Sequence, residues 1–226
     1  MRIFGLGESE VTYQLRHLIE NQSNPTIAPY IKPGEVTLRI TAKCKTKAEG
    51  EALIAPMLSA IRETLGDYVY SMDGQSLAQV ISDALRKRGE TLAVAESLTG
   101  GLLTSTLVEL PGCSEILSEG LVTYSNAAKQ RHLGVGAETL AQYGAVSAPC
   151  AWEMAEGLLR SSGADYALAT TGFAGPDGEN VGLVYVALAG KGNTDVKELH
   201  LRGDRNRIRL MAAYHALDLL RRKLCT

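Results

Sequence analysis

The sequence predicts an α/β fold: a three-layer α/β/α sandwich domain preceded by a small α/β unit. From about residue 76 onwards, short apolar runs typical of buried strands alternate with segments of helical period. Strands that alternate with helices at this spacing favour a layered sheet with helices on both faces. The first 74 residues show a shorter alternation of the same kind, and Gly74-Gln75 separate the two parts. We therefore expect domains at 1–74 and 75–226.

The first part is predicted to have the order β-α-β-α-β. Its helix at 11–19 is followed by a loop through Asn24-Pro25 and Pro33-Gly34. Thr46-Lys-Ala-Glu49 matches a capping box, which predicts the start of the second helix. The predicted elements, in chain order, are a strand at 2–4, a helix at 11–19, a strand at 36–41, a helix at 47–65 and a strand at 67–71.

The second part begins with an amphipathic helix whose apolar positions include Leu77, Ile81 and Leu85. Gly163 ends a longer helix, and the residues from Gly172 to Gly178 are too rich in turn formers to be anything but a tight loop. The predicted strands are 92–95, 120–125, 166–170, 181–189 and 196–201. The predicted helices are 76–89, 102–110, 126–133, 139–143, 148–162 and a terminal helix that Asp204 opens.

The stretch from Leu92 to Gly101, L-A-V-A-E-S-L-T-G-G, predicts a strand that turns into a helix through a polar corner. Such a junction leaves unpaired N–H groups beside the positive end of the helix dipole, which suits a phosphate or an oxyanion. Ser97 stands at this corner and is the first candidate nucleophile. The alternative is that Ser97 or Thr99 only caps the helix.

Polar residues also collect at the ends of other predicted strands. Ligands bind where the strands of such sheets end and helices begin, so these residues are the candidate site. Ser97, Tyr124 and Thr171 each fall at or near a predicted strand end. The three polar clusters are Glu96, Ser97 and Thr99; Ser114, Tyr124, Asn126 and Lys129; and Thr170, Thr171 and Gly172 with Arg205 and Arg209.

Composition argues against several other classes of protein. The formal net charge of −2 gives no global field towards nucleic acid or membrane. No run of eighteen apolar residues occurs, and the start, M-R-I-F-G-L-G-E, is too polar for a signal peptide, so we expect a cytoplasmic protein. Four scattered cysteines and four scattered histidines predict reduced thiols, no metal site and no cofactor.

Several spaced motifs resemble the C-terminal domain of the CinA family. They are A-E-S-L-T-G-G, G-L-V-T-Y-S-N-A-A-K, A-V-S, T-G-F-A-G-P-D-G and G-D-R, and they extend from about Ser76 to the C-terminus. That domain also occurs alone as the PncC-type nicotinamide mononucleotide (NMN) deamidase. F-G-L-G-E-S-E, P-T-I-A-P-Y and T-A-K in the first part are similar to the KH-like middle domain of CinA proteins. We do not expect the ADP-ribose pyrophosphatase activity of the family's separate N-terminal domain.

The resemblance implies an amidohydrolase of pyridine nucleotide salvage that converts NMN to nicotinate mononucleotide and ammonia, without a cofactor and as a homodimer. No Ser-His-Asp order has convincing flanks, so we expect Ser97 as nucleophile and a neutral Lys129 as base. Ser114 and Tyr124 would relay the proton or orient the pair. The expected substrate-binding residues are Glu96, Thr99, Gly100, Asn126, Thr171, Gly172, Arg205 and Arg209.

Other interpretations stay open at this point. The domain could be a non-catalytic nucleotide-binding or scaffolding module of a competence/damage-inducible protein, and Lys129 could be a solvated helix lysine. RNA binding by the first part is not expected, because no G-x-x-G loop with basic flanks occurs there.

Overall fold

The computed structural model describes residues 1–225, which form two compact units. The first is Met1–Val80 and the second begins at Ile81. Each unit contains its own β-sheet. None of the helices within residues 1–225 is long and apolar enough to cross a membrane.

The first unit is a four-stranded sheet of order β2-β3-β1-β4 with helices packed against it. Val11, Leu15, Ile61 and Leu65 from the helices share an apolar core with strand residues such as Leu38. Its elements are β1 (Arg2–Ile3), α1 (Glu8–Gln14), α2 (Arg16–Glu20), β2 (Thr26–Lys32), β3 (Glu35–Thr41), α3 (Lys47–Leu65) and β4 (Val69–Ser71).

The predicted β-α-β-α-β order of this unit is wrong by one strand. The segment assigned to a loop forms β2, which pairs antiparallel with β3 along its whole length. This strand escapes the sequence pattern because it is an edge strand, mostly exposed, and carries Pro29, which only an edge position tolerates. The predicted helix at 11–19 is also divided at Leu15 into α1 and α2.

The start of α3 shows the predicted capping chemistry. The Thr46 side chain accepts a hydrogen bond from the Glu49 N–H, and the Glu49 carboxylate accepts one from the N–H of Lys45. The helix then runs from Lys47 to Leu65, as the capping box predicts.

The second unit is a five-stranded sheet of order β6-β5-β7-β8-β9. Strand β5 is parallel to β6 and to β7, whereas β8 and β9 are antiparallel to their neighbours. Its strands are β5 (Leu92–Glu96), β6 (Leu117–Val122), β7 (Tyr166–Gly172), β8 (Leu183–Gly190) and β9 (Asn193–His200). The helix α4 (Leu77–Arg88) spans the boundary between the units, and most of it belongs to the second. The other helices of the second unit are α5 (Leu102–Val108), α6 (Asn126–Leu133), α7 (Ala137–Tyr143), α8 (Ala148–Ser162) and α9 (Arg205–Cys225).

Helices cover both faces of this sheet, which confirms the predicted α/β class. Small residues on one face, among them Ala95 and Ala169, belong to a fully buried core with Met154 and Leu158 of α8. Alternate strand residues, such as Val94, point to the other face, where α9 packs on β7 and β8. Because β5, β6 and β7 run in the same direction, their carboxyl ends meet at one edge.

Helices α6 and α8 approach each other unusually closely on the first of these faces. A Cβ atom placed on Gly157 of α8 would lie 1.7 Å from the carbonyl oxygen of Leu133, the last residue of α6. Two backbones therefore touch here, and only glycine allows it. This contact fixes the helix that carries Lys129.

Candidate active site

Ser97 and Lys129 meet at the carboxyl edge of the sheet. Ser97 follows β5, and its N–H donates a hydrogen bond to the carbonyl of Thr170 at 3.0 Å. Lys129 lies in α6, which begins where the Ser125 side chain accepts the N–H of Ala128. A hydrogen bond joins Lys129 Nζ and Ser97 Oγ at 2.9 Å. The nucleophile and base expected from the sequence are thus in direct contact.

Lys129 is a buried amine, with 1% of its surface exposed. Its Nζ also donates to the carbonyls of Thr123 (2.9 Å) and Tyr124 (3.4 Å). Within residues 1–225, no ion pair joins it to a carboxylate. Burial lowers the pKa of Lys129 below its ordinary 10.5, and the Cys150 thiol opposes this shift more weakly. A neutral amine here gives its two N–H groups to the two carbonyls and its lone pair to the Ser97 hydroxyl.

Glu96 has a different place from the one expected. Its carboxylate is fully buried and accepts the N–H groups of Gly101 (2.9 Å), Leu103 (3.0 Å) and Thr104 (2.8 Å). It also accepts the Thr104 hydroxyl at 2.7 Å. The expectation of free N–H groups is therefore wrong for the first turn of α5, because the preceding strand supplies its own anion there. Glu96 holds the corner that presents Ser97.

A cavity of about 180 Å³ opens beside Ser97 and Lys129. Polar and apolar surface line it in about equal parts, and the polar groups are those of the Ser97–Lys129 pair, Thr171 and Arg205. Neither this lining nor any other place within residues 1–225 groups three His, Cys, Asp or Glu side chains able to hold a metal ion. The cavity is lined by Ser97, Leu98, Tyr124, Lys129, Ala145, Val146, Thr171, Gly172, Phe173, Ala174 and Arg205.

Two exposed aromatic side chains and one arginine line the more open part of this cavity. Tyr124 is 62% exposed and Phe173 is 45% exposed. The Arg205 guanidinium donates to the carbonyl of Gly175 at 2.7 Å and to the Tyr124 hydroxyl at 3.3 Å. Arg205 therefore bridges the residues before α6 and the glycine-rich loop after β7.

Thr171 and Gly172 also lie in the lining, as part of β7. The Thr171 hydroxyl donates to the carbonyl of Ala145 at 2.6 Å, which holds the segment before α8 against the strand. Gly172 is packed so tightly that a Cβ atom would lie 2.8 Å from the carbonyl oxygen of Leu183. Both residues help to shape the wall of the cavity.

Four other expected binding residues lie outside the cavity lining. Thr99 is buried, and its hydroxyl pairs with that of Thr170 at 2.8 Å. Arg209 donates to the carbonyls of Leu98 (3.2 Å) and Thr99 (2.9 Å), so it holds the loop after Ser97. Gly100, with a φ of +59°, belongs to the same loop, and Asn126 is exposed at the first turn of α6.

Ser114 is not part of this site. It lies in a short 3₁₀ turn before β6, at the amino edge of the sheet, whereas Ser97 lies at the carboxyl edge. The length of β5 separates the two edges, on the order of 15 Å. Its expected role as a proton relay is therefore excluded by the strand direction.

The apolar lining was missed by the sequence reasoning. Leu98, Ala145, Val146, Phe173 and Ala174 carry no chemical group that marks a site, although the motifs A-V-S and T-G-F-A-G-P-D-G contain most of them. The carbonyl of Thr123 and the thiol of Cys150, which also influence Lys129, were missed because their proximity depends on the packing of α6 in the fold.

Comparison with known proteins confirms the resemblance seen in the motifs. Residues 1–71 match the family described as "Damage-inducible protein CinA KH domain", and residues 74–224 match the "CinA C-terminal domain". A CinA-like protein from Kosmotoga olearia is 50% identical, over 99% of this chain and 55% of that protein. One from Dictyoglomus thermophilum is 47% identical, over 99% and 56%. The chain spans about half the length of these curated relatives.

Solved structures agree with these matches. The competence damage-inducible protein A (ComA) of Klebsiella pneumoniae is 39% identical with a TM-score of 0.64, over 66% of this chain and 95% of that one. The competence/damage inducible protein CihA of Agrobacterium tumefaciens is 41% identical with a TM-score of 0.64, over 66% and 94%. The chain therefore belongs to the CinA family, with its KH domain followed by its C-terminal domain.

Proposed function

We propose that the second unit is an amidohydrolase that converts NMN to nicotinate mononucleotide and ammonia. The observation that carries the proposal is the contact of 2.9 Å between the buried Lys129 amine and the Ser97 hydroxyl at the cavity. A serine hydroxyl becomes a nucleophile when an adjacent base takes its proton. A lysine does so only when it is uncharged, and burial favours that state here.

The first half of the reaction forms an acyl-enzyme. Ser97 Oγ attacks the carboxamide carbon while its proton passes to Lys129 Nζ. The carbon–nitrogen bond then breaks, and the Lys129 ammonium returns the proton to the departing nitrogen, which leaves as ammonia. A nicotinoyl ester on Ser97 remains.

The second half repeats these transfers with water. Water attacks the ester carbon and gives its proton to Lys129, and the tetrahedral intermediate collapses with Ser97 as the leaving group. Lys129 returns the proton to Ser97 Oγ, and the product is released as the acid. One base thus serves both half-reactions.

Backbone groups after Ser97 are the candidate oxyanion donors. Among residues 1–225, no protein acceptor bonds the N–H groups of Leu98 and Thr99. Arg209 donates hydrogen bonds to the carbonyls of Leu98 and Thr99, so the loop and its N–H groups are held in place before an oxyanion forms. Thr99 and Arg209 thereby contribute to the reaction through the shape of the loop.

The size of the cavity suits one aromatic ring. A cavity of roughly 150 Å³ holds a benzene molecule, so 180 Å³ accommodates the pyridine ring and its carboxamide. The ribose and phosphate then lie at the open part, where Tyr124 and Phe173 offer aromatic faces. Arg205 uses two of its five N–H donors on protein acceptors, which leaves others for the phosphate.

The homodimer and the cytoplasmic location expected from the sequence stay predictions. The same holds for the relay role of Tyr124. Its hydroxyl bonds Arg205 and its carbonyl bonds Lys129, so we assign it the positioning of both groups.

Ammonia release from NMN tests the proposal. We expect turnover by the wild-type chain and a loss of at least about 10³-fold in kcat for Ser97→Ala and Lys129→Met, because each removes a partner of the proton transfer. Ser105→Ala and Lys223→Met, both at exposed helix positions, are the matched controls and should keep full activity.

Full activity in Ser97→Ala would reject the mechanism. Binding of NMN without ammonia release by the wild-type chain would instead favour the non-catalytic nucleotide-binding module.

A further inference from the structure

The reactive pair faces the cavity with a single ionisable amine that has no anionic partner. Lys129 contacts a hydroxyl and two carbonyls, and within residues 1–225 no carboxylate forms an ion pair with it. The cavity beside it has walls that are half apolar, with Leu98, Val146 and Phe173 among them. Once the amine is protonated, it is a buried cation without a counter-ion, which is an unfavourable state unless a ligand supplies one.

We propose that this cavity binds aromatic monocarboxylates together with one proton, so that the acid product holds the reactive pair in an inactive form. The identity of this product rests on the proposed function, whereas the carboxylate site itself rests on Lys129 and the cavity. The ligand class is a flat ring of one aromatic unit with one carboxylate.

The proton balance of hydrolysis leads to the same state. The product leaves Ser97 as a carboxylic acid while Lys129 is an uncharged amine. An amine is the stronger base, so the acid proton passes to Nζ and an ammonium–carboxylate pair forms in the cavity. In this pair Lys129 cannot accept the Ser97 proton. The next turnover therefore requires both the carboxylate and the proton to leave.

The surroundings of Lys129 favour this coupling. From α8, it faces the Cys150 thiol, whose pKa burial raises to about 11, so the thiol is uncharged at neutral pH. From α9, the Arg205 guanidinium lies in the same lining, and the phenol of Tyr124 lines it from the loop before α6. The one carboxylate at the strand end, Glu96, is engaged by α5. A carboxylate ligand therefore meets positive charge and no competing anion.

Benzoate and benzamide provide a matched pair of probes, because they share a ring and differ in charge. Titration calorimetry of the full chain in two buffers of different ionisation enthalpy measures both affinity and proton uptake. We expect benzoate to bind with uptake of one proton above the pKa of Lys129, and its affinity to fall about tenfold per pH unit there. Benzamide affinity should not change with pH.

Lys129→Met should abolish benzoate binding and keep benzamide binding, whereas Lys223→Met should change neither. Benzoate binding without proton uptake at any pH, no benzoate binding up to about 10 mM, or benzoate binding retained in Lys129→Met would each overturn the proposal. If Lys129→Met does not fold, the proton uptake of the wild-type chain decides alone.

The two proposals fail separately. Proton-coupled benzoate binding in a chain that releases no ammonia from NMN rejects the amidohydrolase and supports the carboxylate site. If NMN is hydrolysed, nicotinate mononucleotide should inhibit more strongly below the pKa of Lys129 than above it. Inhibition that does not depend on pH would contradict the coupling while leaving the amidohydrolase intact.

Discussion

At the scale of single residues, Lys129 is the unusual side chain of the molecule. A charged ammonium in an apolar interior loses its hydration, so the side chain either finds an anion or gives up its proton. Here burial favours the uncharged form, and the partners of Nζ, two carbonyls and the Ser97 hydroxyl, include no anion. The same burial lowers the pKa of the amine, which is what its proposed role as a base requires.

The pH dependence of kcat/KM should therefore follow Lys129. The uncharged amine is the active form, so the rate should rise with pH through a midpoint below 10.5, the ordinary pKa of lysine. Cys150→Asp places a carboxylate beside Nζ, which favours the ammonium and should move this midpoint to higher pH. Cys150→Ser should leave it nearly unchanged.

Initial rates of ammonia release between about pH 6 and about pH 10 measure this profile. A midpoint that is the same in the wild-type chain and in Cys150→Asp would argue against Lys129 as the base.

Sequence reasoning predicted the proposed reactive pair better than its surroundings. Ser97 stands out as a hydroxyl at a strand end, whereas Lys129 was singled out by the resemblance to the CinA motifs, because a helix lysine taken alone is more often solvated. The role of Glu96 was not predictable, because it depends on how Gly100 and Gly101, with φ values of +59° and +92°, turn the chain back over the carboxylate. The prediction that Ser114 belongs to the site is wrong, because the sequence does not say at which edge of the sheet a turn lies.

At the scale of elements, the corner between β5 and α5 is the feature that presents Ser97, the proposed nucleophile. Its N–H groups, which would otherwise be unpaired at the helix start, are bonded to Glu96 of the preceding strand. Hydrogen bonds to Glu96 thus stabilise the corner, and Ser97 lies between strand β5 and helix α5, which Glu96 joins.

Glu96→Gln should destabilise the chain by about 2 to 3 kcal/mol. The amide NH₂ group of the glutamine would face backbone N–H donors where the carboxylate now accepts from them. The remaining amide oxygen would accept only hydrogen bonds that lack the contribution of a charge. Urea unfolding measures the loss, and ammonia release should fall with the displacement of Ser97. Glu109→Gln, at the exposed end of the same helix, should shift the unfolding midpoint little. Equal stability of the two variants would contradict this role of Glu96.

Helices and strands were predictable where one of their faces is buried, and were not where both faces are exposed to solvent. The helices at 126–133 and 148–162 agree with the predicted bounds, because a capping serine marks the start of each and a glycine follows its end. The edge strand β2 lacks a buried face and has Pro29 in its middle, so it was taken as a loop. Tertiary pairing with β3 decides its structure.

At the scale of the whole molecule, every residue that lines the cavity belongs to the second unit. The solved relatives from Klebsiella pneumoniae and Agrobacterium tumefaciens cover about two thirds of this chain and nearly all of their own length. The domain boundary predicted at residue 75 precedes α4, whose residues Leu77, Ile81 and Leu85 are buried.

A fragment of residues 75–226 should therefore fold cooperatively and keep the proposed activity. It retains α4 and its buried stripe together with all of the cavity, so its kcat with NMN should lie within about twofold of that of the full chain. A fragment that begins at residue 90 lacks this helix and should fail to unfold cooperatively. Loss of activity in the folded 75–226 fragment would show that the first unit contributes to catalysis.

The contact between Gly157 and Leu133 has a consequence for inheritance. Every missense change of a glycine codon adds at least one carbon atom, and here that atom would land on a carbonyl oxygen. The added atom would push α6 away from α8 and move the Lys129 amine away from the Ser97 hydroxyl, although Gly157 and Leu133 lie outside the cavity lining. We therefore expect the glycine codon at position 157 to tolerate no missense change, because the position of Lys129, four residues before Leu133, depends on it.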